Sequence, residues 1–415
     1  MPIDSFPIDK IRDEFQAMQR IENGHFVSYF DAAGGTQVAK SVINSMVTYM
    51  KNGVANIGGV SPTSRETAII VNNAREHVAS LICTNKENIF FGANMSSLAC
   101  QISHSISKHW KENDNIVVTD MDHEANINPW INVAIEKGVH VNTIPVETRS
   151  KTLNYKSLDY LINDNTQLVA IGLASNAIGT VNELSPIIQR AKRVGAVIAI
   201  DAVHVVPYFS IDFDQLDVDL LFCSAYKFFG PHVGIVAVNS SLLATLQSNR
   251  IHETINYCPE KIETGTLNFE GLVGVIEAIK FIASIGEGNL LRERIKSAYQ
   301  KISLYEAYLA ERLRKGLAKI NYVTIYQADD DVLKTPTVAF RVHGMEAKLV
   351  CHYLSQDYAL HLEYGDFYAK KLLEKLAVPD KELIRAAIAP YNTVDEVDKL
   401  IDAITELENR IKVMR

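Results

Sequence analysis

Seven apolar runs of strand length recur through the chain, at 88–92, 115–119, 140–144, 166–172, 196–201, 219–224 and 234–239, with stretches of helical spacing between them. Most are apolar almost throughout rather than alternating, so they predict strands buried on both faces. Alternation of such strands with helices predicts a mostly parallel sheet covered on both sides, an α/β fold that binds ligands outside the carboxyl ends of its strands.

The connecting segments carry their own signals. A helical pattern spans 8–23; a short strand, a turn at Gly34 and Gly35 and a second helix follow. The glycine-rich loop NIGGVSPTSRE leads into a helix that Thr63 or Ser64 is placed to cap. After Gly92, Ser96 and Ser97 open another helix, whose free N–H groups suit a phosphate but whose serines also suit a plain cap. In SPIIQRAKRVG, Ser185 reads as the cap and Pro186 as first-turn proline. A long helical pattern over 289–319 then marks a change of grammar. Beyond it come short strands in YVTIYQ, TPTVAFRVHG, YALHLE and LIRAAIAPY and helices in MEAKLVCHYLSQDY, DFYAKKLLEKLA and the last 23 residues, an α+β layer. The expected division is a large domain over 24–285 and a small one from 1–23 with 286–415.

Two charges break the apolar pattern. Asp201 ends one strand run and Lys227 follows another, and a carboxylate or an ammonium in apolar surroundings is costly unless paired or used. A buried ion pair explains them, as do strand ends that reach solvent. So does a pyridoxal phosphate (PLP) site, in which the lysine condenses with the aldehyde and the acid keeps the ring nitrogen protonated. The predicted carboxyl ends also carry Ser96, His123, Asn176 and His204, and this convergence favours the cofactor site. In the loop of Asp120, Asp122, His123 and Glu124, a lone histidine argues against a metal, leaving a solvated acidic loop or an imidazole that stacks on a planar ring.

Composition narrows the partners. The 415 residues are 47% hydrophobic and 22% charged with a net charge of −8 and no basic block, which argues against nucleic acid and anionic membrane and for small molecules. No run reaches the ~18 apolar residues of a membrane span. Cys83, Cys100, Cys223, Cys258 and Cys351 have no paired spacing, so neither zinc nor a disulfide framework is expected, in keeping with a cytoplasmic protein.

The ordered segments YFDAAGG, DHEANINPW, SNAIGTVNEL, IDAVHVVPY, SAYKFFGPHVG, ETGTLN and IRAAIAPYNTVDEV resemble class V aminotransferases of PLP fold type I, within them the cysteine-desulfurase-like branch. The resemblance implies a seven-stranded, mostly parallel sheet between helices, a smaller α+β domain, pyridoxal 5'-phosphate, an amino acid substrate and a homodimer. It implies that Lys227 forms the Schiff base, Asp201 partners the pyridinium nitrogen, His123 stacks on the ring and Asn176 meets the ring hydroxyl and substrate. Ser96, Ser97, Ser224 and His204 resemble phosphate or ring ligands, Thr266 a threonine that reaches the neighbouring subunit's phosphate, and Arg385 the arginine for the substrate carboxylate. Tyr226 stands where many relatives have histidine.

The departures point to a modified chemistry. Tyr368 stands near the place of the persulfide-bearing loop cysteine, Glu363 close to that of a second carboxylate-binding arginine, and Glu124 where desulfurases often have histidine. Cys351 reads as core. The leading expectation is a desulfurase-like carbon–sulfur lyase without a persulfide cysteine. Transamination or epimerisation, and a noncatalytic scaffold with this fold, are the alternatives.

Overall fold

Both faces of the central strands are apolar, so helices must cover both. The computed structural model describes residues 5–247 and 261–414; Cys258 and most of the segment leading to Thr264 lie outside them. The strands are β1 (Ile89–Gly92), β2 (Asn115–Thr119), β3 (His140–Ile144), β4 (Thr166–Gly172), β5 (Val197–Asp201), β6 (Leu220–Ser224) and β7 (Gly234–Val238). They form one sheet in the order β1-β7-β6-β5-β4-β2-β3. Only β7 runs antiparallel to its neighbours, so the expected mostly parallel, seven-stranded α/β sheet is what forms. Successive residues point to opposite faces: Val117, Val169, Ile171 and Leu221 join one buried cluster while Ile116, Val118, Leu168, Ala170 and Leu220 join the other.

The main helices are α1 (Lys40–Lys51), α2 (Pro62–Ile82), α3 (Met95–Ile106), α4 (Glu124–Lys137), α5 (Ser185–Val194), α6 (Phe269–Ile285), α7 (Leu291–Leu317), α8 (Ala347–Tyr358) and α9 (Val394–Met414). On one face α6 packs against α1, α2 and α7; α3 and α4 pack together on the other. Beyond α7, β8 (Val323–Tyr326), β9 (Thr337–Val342), β10 (Glu363–Gly365) and β11 (Leu383–Ala387) make an antiparallel sheet in the order β8-β9-β11-β10. This sheet is tied to the N-terminal segment. Ser28–Tyr29 pairs with Leu360–His361, and the Ala387 N–H donates to Phe30 O at 2.7 Å, which brings Ala33 and Gly34 beside β10.

Several helix boundaries and caps differ from those the sequence predicts. The 8–23 pattern is a six-residue helix, Ile8–Asp13, followed by a 3-10 turn. Ser61, not Thr63 or Ser64, caps α2, because Pro62 fills its first turn and Ser64 is buried and donates to Asn56 O. Asn94, not Ser96 or Ser97, caps α3: Asn94 Oδ1 accepts from the Ser97 N–H, and Ser97 answers as the third helical residue of a capping box. Ser185 is the first residue of α5 and makes no cap bond. The DFYAKKLLEKLA segment is helical only over Lys370–Lys375.

Candidate active site

Five strand ends converge on one cavity of about 470 Å³. Asn94 and Ser96 enter it after β1, Asp122 and His123 after β2, Asn176 after β4, Asp201 and His204 at and after β5, and Ser224 and Lys227 at and after β6. Glu363, Phe367, Tyr368 and Arg385 close it from the antiparallel sheet, and Ala33 and Gly34 from the N-terminal segment. Ser97 and Thr266 do not reach it within this chain: both are exposed, and they line a second cavity of about 450 Å³.

Lys227 ends a 3-10 turn directly after β6, and its amine donates to Ala33 O. Burial, then the positive charge of Arg385, pulls its pKa down to about 7, against Glu363 and Asp201, which raise it. Near neutrality a large share of this amine is therefore unprotonated and nucleophilic. Asp201 makes no ion pair with it. Instead Asp201 Oδ1 accepts from the Val203 N–H at 2.8 Å, and burial lifts its carboxyl to about 6 against that bond and the Lys227 charge. The buried-ion-pair explanation of the two charges thus has no contact behind it.

His123 is the N-cap of α4. Its Nδ1 accepts from the Ala125 N–H at 3.0 Å, so the neutral ring carries its proton on Nε2. Burial first, then Lys227 and Arg385, brings its pKa to about 4, which keeps it an uncharged planar ring. Its centroid is 5.2 Å from that of Tyr368. His204 is buried with Nε2 3.1 Å from Thr335 Oγ1 and 3.2 Å from Thr337 Oγ1, and burial holds its pKa well below the usual value. Asn176 Nδ2 donates to Phe367 O at 2.7 Å, while its Oδ1 is buried with no partner.

Arg385 is buried on β11. One arm donates to Asn176 O at 2.6 Å, another to Glu363 Oε2, and its guanidinium carbon lies 4.0 Å from the Phe367 ring centroid. Its ion pair is therefore a buried one rather than one on the surface, with the Arg385 side chain 4% exposed. Asp122, which the sequence leaves as one acid of a solvated loop, also lines the cavity: its Oδ1 accepts from the Gly172 N–H at 2.6 Å and burial raises its carboxyl to about 7. The signal was its place two residues past Asp120, which points away from the cavity toward Lys375 at 3.7 Å.

The family model for class V aminotransferases matches residues 28–400. The chain belongs to the class V aminotransferase family. Among curated class V relatives, it is 27% identical over 419 residues to a cysteine desulfurase of Salmonella agona (strain SL483), covering 97% of this chain and 98% of that protein. It is 28% identical to one of Enterobacter sp. (strain 638), covering 98% and 99%. Two solved structures share the fold. The cysteine desulfurase CsdA (S-sulfonic acid) of Escherichia coli has a TM-score of 0.84 at 24% identity over 98% of this chain and 99% of that one. The apo cysteine desulfurase of Thermococcus onnurineus NA1 has a TM-score of 0.87 at 24% over 97% and 98%.

Class V aminotransferases are PLP-dependent enzymes, and pyridoxal 5'-phosphate is the cofactor of this chain. The cavity fits it on its own terms: a buried amine of lowered basicity, a buried carboxyl, a neutral imidazole, an unpartnered amide oxygen and the start of the 12-residue helix α3. Among the described residues, no helix is long and apolar enough to cross a membrane.

Proposed function

We propose that this class V enzyme acts on an amino-acid-type substrate and cleaves a carbon–sulfur bond, releasing the sulfur without lodging it on a cysteine of its own. The observation that carries this reading is the cavity itself, where Lys227, Asp201, His123 and Arg385 meet and where Tyr368 stands in the wall. Among the described residues, no cysteine lines the cavity. Cys351, on α8, is buried and burial pushes its thiol up to about 12, which leaves almost no thiolate.

In this proposal Lys227 would hold the cofactor aldehyde, Asp201 the ring nitrogen, His123 the ring face, Asn176 the ring hydroxyl as donor, and Ser96, Ser224 and His204 the remaining polar atoms. Bound pyridoxal phosphate supplies an electron-accepting ring next to the reacting carbon. Asp201 would face that nitrogen and favour its protonated form. Lys227, when its amine is free, takes the proton from the substrate α-carbon, a task matched to a pKa near the working pH. Arg385 and Glu363 face the carboxyl end.

Thr266 and Ser97 fit a site completed by a second copy. Ile43, Val47, Met50, Val54, Ile57, Val60 and Ile69 expose an apolar surface on and between α1 and α2, with Val60 91% exposed, and a surface of this kind marks an interface. We place the dimer there, and the protein, whose Cys83, Cys100, Cys223 and Cys351 are free thiols, in the cytoplasm.

The test is a product assay on sulfur amino acids and their carboxyl derivatives, following sulfide, pyruvate-type oxo products and transaminated cofactor, with Lys227→Ala as control. Sulfide release that is lost in Lys227→Ala is the expected result. Persulfide trapped on the protein during turnover overturns the proposal, and oxo acid formed with no sulfide assigns the chain to transamination.

A further inference from the structure

One ion pair fills the end of the cavity where the substrate's carboxyl group is expected. Glu363 and Arg385 are direct cross-strand partners in the β10–β11 register, so backbone pairing holds them together rather than a chance rotamer. The guanidinium is otherwise enclosed by Asn176 O and the Phe367 ring, and its side chain is 4% exposed against 35% for Glu363. What the cavity presents at this end is therefore more carboxylate than guanidinium.

The surroundings add negative charge. Asp366 lines the same cavity, and Asp31, half-buried, pairs across a β-bridge with Ala387 at the end of β11, its Oδ1 without a partner among the described residues. Burial first and then the Glu363 charge raise the Asp31 carboxyl to about 6. A free arginine fork would accept a ligand carboxylate in two parallel bonds, but here Glu363 already occupies one arm. An incoming carboxylate would lie against Glu363 with the compensating charge spent, and like charges so juxtaposed select against a ligand.

We infer that the substrate brings a neutral carboxamide, not a free carboxylate, to the Arg385–Glu363 pair. A carboxamide carries one group for each partner: its carbonyl accepts from the guanidinium, whose Nε–H is buried without an acceptor, and its N–H donates to the Glu363 carboxylate. A carboxylate offers acceptors only, and so does an ester. Glu363 is then the specificity-determining residue at this end, an inference that rests on the PLP reading of the site.

The experiment titrates L-alanine and L-alaninamide into PLP-loaded protein, reading dissociation constants by calorimetry and the shift of the visible band. The amide-over-acid ratio is compared in wild type, Glu363→Gln and Glu363→Ala at one pH, so that the differing basicity of the two amines cancels. Wild type should prefer the amide, and each variant should lower that preference by about tenfold or more, the cost of setting two like charges side by side in a partly buried site. A ratio unchanged in either folded variant, or wild type that binds alanine more tightly than alaninamide, overturns the inference while a visible band leaves the PLP reading standing. Failure to form any band on adding PLP overturns both.

Discussion

Glu306 offers a measurement in which burial alone sets the outcome. It lies in the middle of α7, 1% exposed, and neither carboxylate oxygen has a hydrogen-bond partner among the described residues. Burial holds its pKa well above the usual value of 4.5, so the folded chain keeps it protonated where the unfolded chain ionises it. The sign follows: a group whose folded pKa is raised contributes its full stability below about pH 4.5 and loses it as pH climbs through the raised value. At pH 7 the interval above 4.5 is 2.5 pH units, and at about 1.36 kcal/mol per unit the loss is at most about 3.4 kcal/mol. Glu306→Gln has nearly the same shape and is neutral at every pH. Its unfolding free energy, from urea titrations of both proteins at matched concentration between pH 4 and pH 8, should equal that of wild type at the acid end. It should exceed wild type by up to about 3.4 kcal/mol at neutrality. A difference flat across pH, or wild type more stable at pH 7, refutes the reasoning.

Other perturbations test the site and its surroundings. A methyl group at Gly34 would overlap Glu363 Oε1, the far end of a flexible side chain, so Gly34→Ala should push Glu363 off Arg385 and move ligand preference toward carboxylates, checked by the same alanine and alaninamide titrations. Alkylation of accessible thiols with iodoacetamide should leave turnover within about twofold, since activity needs no thiolate in this scheme; loss of activity that tracks labelling would contradict it. Met50→Glu, on the exposed apolar face, should shift sedimentation from dimer to monomer, and an unchanged dimer places the interface elsewhere.

The large sheet was legible because a strand buried on both faces can hardly be anything but a continuous apolar run, and β2, β6 and β7 are buried at every position. Asp201 and Lys227 stood out for the same reason, as charges where that pattern admits none. Helix starts were harder to read. Ser61, Thr63 and Ser64, or Asn94, Ser96 and Ser97, are all able to cap, and only the backbone direction of the preceding loop chooses between them. Glu306 was hidden in a stretch, LYEAYLAERL, that reads as an ordinary amphipathic helix with a solvated face. Glu363 could be recognised as a departure, but its pairing with Arg385 depends on a strand register that joins positions 22 residues apart.

The wall that carries Tyr368 is wound against its own preference. Phe367 and Tyr368 are successive non-glycine residues in left-handed conformation, with φ of 54° and 55°, each at roughly 1–3 kcal/mol above relaxed backbone. Two bonds from across the cleft restrain them: Asn176 Nδ2 to Phe367 O, and the Glu124 N–H to Tyr368 O at 2.8 Å. The loop is therefore held in a strained shape by two hydrogen bonds, one of them from the Asn176 amide that lines the same cavity, so loss of that amide should relax the wall that carries Tyr368.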